Sequence, residues 1–185
     1  VAEMKRTYVT DQEAWNTLHH FFYHGKTTTT YKYGFFKALL EACITANEHN
    51  EIAYDTIFFS FTKIYWNLVI DHGLWQSNTR TQPSSVQKEI DKFAQQNAIP
   101  PHWNFEKLTD TQKIELIQKV KQVGKKYVIG ALYGDFNGEI YTFDLKREYL
   151  QLHPKYLLFL QTYKRILTNV TNYQLALFPE KFNEV

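Results

Sequence analysis

The sequence predicts a mainly α-helical fold, a bundle-like domain with one small β-hairpin or wing near residues 127–143. Three observations carry that reading. Apolar residues recur at three- and four-residue spacing through most of the chain. Three Ser/Thr-x-x-Glu/Gln tetrads, beginning at Thr10, Ser84 and Thr109, stand just ahead of such runs, where they can close the orphan amides of a first helical turn. The strand-like stretch is centred on Asn137-Gly138, residues that tolerate positive φ.

In order along the chain, the first helix is expected to start at Thr10-x-x-Glu13 and to bury Ala14, Leu18 and Phe21 or Phe22. Gly25 and the four threonines from Thr27 to Thr30 stop it, because β-branched polar residues fit an extended linker better than a helix. A second helix is predicted over residues 31–47 with Phe35, Leu39, Ala42 and Ala46 as its stripe. The third, residues 55–71, places Ile57, Phe61, Ile64 and Leu68 on one face and Phe58, Tyr65 and Val69 beside them. It is too apolar for a helix with a wet side, so it is expected at the centre of the fold.

His72-Gly73 closes that helix, and residues 74–83 read as a loop. Ser84-x-x-Gln87 should cap a fourth helix with Val86, Ile90 and Phe93 inward, and Thr109-x-x-Gln112 a fifth with Ile114, Ile117, Val120 or Lys121, Leu116 and Val123. After Gly124, residues 127–133 and 139–143 are expected to pair across the Asn137-Gly138 turn, while residues 144–152 leave helix and strand both open. Helix returns at Pro154 with Tyr156, Leu160, Tyr163, Leu167 and Val170, and Asn172 is expected to cap a last short helix burying Leu175, Phe178 and Phe182. The apolar segments look continuous enough to share one core, so residues 1–185 are read as one domain. Residues 74–83 and 99–102 are the two places where a subdomain boundary could fall.

Composition narrows the function classes. The 185 residues carry 21 basic and 19 acidic side chains, a formal charge of +2 that neither demands nor excludes nucleic acid. The 14 Phe, 13 Tyr and 4 Trp, 17% of the chain, promise a ring-rich core with rings left over for an interface. Cys43, a lone cysteine in an apolar helical segment, reads as a buried hydrophobe in a reducing compartment. No apolar run is long enough to span a bilayer and no basic n-region opens the chain, which makes the cytoplasm the expected location and a membrane an unexpected partner. The sequon Asn169-Val170-Thr171 then has no glycosylation consequence.

No complete catalytic motif is present. His20 and His24, four apart with His19 adjacent, could share a helix face, but Phe21 stands where a zinc-protease helix has its glutamate, and no third ligand is evident. Cys43 has no neighbouring base. Gly130, Gly134 and Gly138 do not make a phosphate loop, paired-cysteine zinc motifs are lacking, and the carboxylate pairs Asp110 with Glu115 and Asp135 with Glu139 are of a kind that arises by chance. Nucleic acid is the better candidate ligand. Lys119, Lys121, Lys125 and Lys126 follow one another with no acidic residue from Leu116 to Leu132, a pattern suited to phosphate contacts, though more often the cationic end of a solvated helix. Trp75, Asn78, Arg80 and Gln82 in the loop could stack on or hydrogen-bond to bases, or form a surface loop anchored by Trp75.

Tyr31-Lys32-Tyr33-Gly34-Phe35-Phe36-Lys37-Ala38-Leu39-Leu40-Glu41, followed by Phe59-x-Phe61-x-x-Ile64-Tyr65-Trp66-x-Leu68-Val69, resembles the amino-terminal region of bacterial, restriction-like proteins that carry an HNH endonuclease module further along. Gly138-Glu139-Ile140-Tyr141, Leu150-x-Leu152-His153-Pro154 and the closing Asn172-Tyr173-x-Leu175-Ala176-x-Phe178-x-Glu180-Lys181-x-Asn183 resemble the same region, so the similarity spans residues 31–183. The resemblance implies that cleavage belongs to a downstream ββα-metal segment with histidines and commonly paired cysteines, whose spacing His19, His20 and His24 do not reproduce. It transfers no catalytic residue, cofactor or metal to this chain, and a divalent metal is expected only in that downstream module. The role it implies here is to contact double-stranded DNA or to position the nuclease. The alternative is a protein-interaction domain, docking the nuclease module or a second copy, without nucleic-acid contact.

Overall fold

A computed structural model describes residues 9–24, 29–77 and 82–183. Among them are eight α-helices and a three-stranded antiparallel sheet. Helix α1 (Asp11–Tyr23) begins at the expected capping box, where the Thr10 hydroxyl accepts from the Glu13 amide and the Glu13 carboxylate accepts from the Thr10 amide. Ala14, Leu18, Phe21 and Phe22 are its buried face.

Helix α2 (Tyr31–Ala42) ends in a short 3-10 turn at Cys43–Thr45, and α3 (Tyr54–Trp66) runs on into a π-helical turn, Asn67–Asp71. Helix α3 is central as expected, packed on α2 along one side and on α5 (Asp110–Tyr127) along another. Its fully buried face is Tyr54, Ile57, Phe58, Phe61 and Tyr65. Ile64 and Leu68, expected on that face, are only partly covered. Gly34 and Gly124 permit these close approaches, since a Cβ on Gly34 would overlap the Tyr65 ring and one on Gly124 the Phe58 ring.

Beyond the Gly73 turn, where φ is +66°, α4 (Ser85–Gln96) starts with Ser84 in the cap position but without the expected capping box. The Gln87 amide oxygen instead accepts from the Gln76 backbone, and the Val86 amide donates to the Tyr31 hydroxyl at 2.6 Å. Helix α5 does open with its Thr109–Gln112 box. Its inward face is Leu116, Ile117, Val120, Lys121 and Gly124, and Ile114, expected inside, is exposed.

The strand prediction needs moving. Residues 129–135 form α6 (Ile129–Asp135) rather than a strand, and Asn137-Gly138, both at positive φ, ends that helix instead of turning a hairpin. The hairpin lies one segment later: β2 (Tyr141–Asp144) pairs with β3 (Tyr149–Leu152), Tyr141 opposite Leu152 and Asp144 opposite Tyr149. Its turn is made by the Asp144 carboxylate, which accepts from the amides of Lys146 at 2.8 Å and Arg147 at 3.0 Å, and by Glu148 at positive φ. β1 (Glu51–Ala53) adds antiparallel to the other edge of β3. β1 was not anticipated, and three residues carry too little alternation to announce a strand.

Helix α7 (Pro154–Thr162) starts at proline as expected, with the His153 ring accepting from the Lys155 amide. The break then falls at Tyr163, and α8 (Lys164–Asn183) continues through Asn172, which caps nothing. One buried apolar cluster runs from Val9 to Leu175 and includes side chains on both sides of residues 74–83 and 99–102. Cys43 is buried within it, its thiol pushed up by burial. No described helix is long and apolar enough to cross a membrane.

Candidate nucleic-acid interface

The four lysines sit on α5, but a helix separates what the sequence places side by side. Lys121 and Lys125, one turn apart, face the β2–β3 turn, and Lys119 and Lys126, two turns apart, face outward. Lys121 is buried, with its Nζ donating to Asp55 at 2.6 Å and to Glu148 at 2.8 Å. Lys125 donates to the second oxygen of Glu148 at 2.5 Å. Burial works against the Lys121 charge, but Asp55 and Glu148 outweigh it and hold its pKa above the ordinary lysine value. Hydrogen bonds from Lys121 and Lys125 hold the Glu148 carboxyl below its ordinary value against the opposing effect of partial burial.

Two of the four candidates are thus consumed in a clamp that ties α5, α3 and the hairpin together. Lys119 is half-exposed and lies 3.4 Å from Glu115 one turn before it. Lys126 is exposed, its ammonium 4.9 Å from the centroid of the Tyr127 ring. The clamp also places the turn residues Lys146 and Arg147, both exposed, next to Glu148 and hence beside the end of α5. Arg147 stacks on Tyr149 at 4.6 Å and reaches Glu51 at 3.8 Å. Neither turn residue was among the sequence candidates. Asp144-Leu145-Lys146-Arg147, an Asx turn carrying a basic pair, was the available clue.

The second candidate surface is only partly described. Asn78 and Arg80 lie outside the described residues. Trp75 is half-buried and Gln82 exposed. The buried anchor of this loop is Gln76: its backbone donates to Gln87, its side-chain amide to the Leu74 carbonyl, and its oxygen accepts from Thr30 at 2.7 Å. Thr29 and Ser77 form a β-bridge beside it.

His20 and His24 stack at 5.6 Å on the exposed side of α1, and no group of three metal-ligating side chains occurs among the described residues. Glu139 accepts from Thr17 at 3.2 Å and from Tyr156 at 3.4 Å, which ties the loop after α6 to α1 and α7. Comparison with known proteins finds no matching family model, no similar curated protein and no similar solved structure.

Proposed function

We propose that this chain is a non-catalytic, DNA-contacting domain that positions an HNH-type nuclease module. The resemblance of residues 31–183 to the region that precedes such modules supplies the context. The observation that carries the reading is the Lys121–Glu148–Lys125 clamp, which fixes the hairpin turn against the end of α5. Lys119 and Lys126 on α5 and Lys146 and Arg147 on the turn then belong to one rigid unit, able to offer ammonium and guanidinium groups to phosphates without reading base sequence.

Because Glu115 and Glu51 offset part of that charge, the contact is weak and orienting rather than a tight grip. Counterion release from two or three phosphates gives a log–log salt slope of roughly −2 to −3. Fluorescence anisotropy with a labelled duplex at low salt tests the reading. Reversing Lys119, Lys126 and Lys146 together to Glu is expected to abolish binding. Unchanged affinity, or no binding by the parent chain at any salt, overturns it in favour of a domain that docks only to protein.

A further inference from the structure

A groove of about 620 Å³ opens between α2, α3, the π-helical turn and α8. Its lining is apolar along Phe59, Ile64, Leu68 and Leu175. Phe59, on the lining, is 45% exposed. A large ring therefore stands partly in water on the wall of an apolar depression, an arrangement that favours a covering surface.

The rim says which surface. Helix α2 is buried along most of its length, even at Lys32, and the charged side chains it presents outward are Lys37 and Glu41, one turn apart on the edge of the groove. Neither takes part in an ion pair among the described residues. A two-fold axis makes residue i meet residue j while j meets i, so a patch carrying one cation and one anion a turn apart complements itself when two α2 helices run antiparallel. We propose that this face pairs with a second copy of the chain: Lys37 of each copy meets Glu41 of the other, and the Phe59 ring is covered beside them.

Sedimentation velocity from micromolar to submillimolar concentration, without DNA, tests this independently of the nucleic-acid reading. The mass is expected to rise toward twice 22.0 kDa. Lys37→Glu alone and Glu41→Lys alone each bring like charges together and should weaken association about tenfold or more. The double exchange restores opposite charges across the axis and should recover it, and Phe59→Ala should weaken it without touching charge. Circular dichroism establishes that each variant is folded. A monomer throughout the range overturns the proposal, as does a double exchange no tighter than the single reversals. A monomer that instead enhances the fluorescence of an anilinonaphthalene sulfonate probe, lost in Phe59→Ala, assigns the groove to a small apolar ligand.

Discussion

Between α2 and α3 the contacts are ring against ring and ring against glycine: Phe35 with Phe58 and Phe61, Tyr31 with Tyr65, and the Tyr65 ring seated over Gly34. Between α5 and the β2–β3 turn they are charge against charge, two lysines on the two oxygens of one glutamate. The first region is fixed by shape and answers to volume. The second is fixed by ionisation and answers to pH and salt. A buried aromatic core tolerates a change of charge state in solvent but not an added methyl group, whereas the partly hydrated clamp should show the reverse sensitivity.

The largest expected effects therefore fall in the first region. Gly34→Val and Gly124→Val each drive a side chain into a ring that is itself enclosed, at a cost of about 3 kcal/mol or more. Thermal melting should show a large drop or a failure to fold. Gly130→Ala, on α6 with open space around its Cβ, is the control and should raise stability by up to about 1 kcal/mol. A comparable loss at all three positions would mean that helix propensity or backbone effects, not ring contact, govern the core.

Intermediate effects belong to the clamp. Lys121→Met removes the buried cation, but Asp55 is 67% exposed and Glu148 32%, so both carboxylates regain water and the cost is about 1 to 2 kcal/mol in urea denaturation. The pH dependence follows from the directions of the shifts. Glu148, depressed in the fold, contributes stability that is present above the unfolded glutamate pKa and lost as pH falls through its folded value. Lys121, raised in the fold, contributes stability that is fully present below the unfolded lysine pKa and lost as pH rises through its folded value. The difference in melting temperature between the parent and Lys121→Met should be greatest between those limits and shrink beyond either. A difference that is flat with pH would assign the effect to packing of the lysine stem.

What the sequence made legible divides along the same line. The caps at Thr10 and Thr109, the central position of α3 and the burial of Cys43 were readable because each depends on neighbours within a turn or two. The hairpin was misplaced by one segment because Asn137-Gly138 satisfies a helix end as well as a strand turn, and Tyr127-Val128-Ile129 has strand-forming side chains that tertiary packing turned into helix. Ser84-x-x-Gln87 failed as a cap because Gln87 had a partner eleven residues earlier, in Gln76. In the candidate site, Lys119 and Lys126 stayed on the surface as expected. The fate of Lys121 and Lys125 rested on Asp55 and Glu148, 66 and 23 residues away, and no local pattern announces an ion pair across that span.

The measurement that bears most directly on the proposed DNA-positioning unit is duplex affinity of Glu148→Gln at low salt. That substitution removes one negative charge within the unit, so charge alone would tighten binding. It also releases the hairpin turn from α5, so a unit that works by fixed geometry should bind the duplex several-fold more weakly, with Lys121→Met weaker in the same sense. Tighter binding by Glu148→Gln would contradict the account and reduce the unit to a diffuse basic surface.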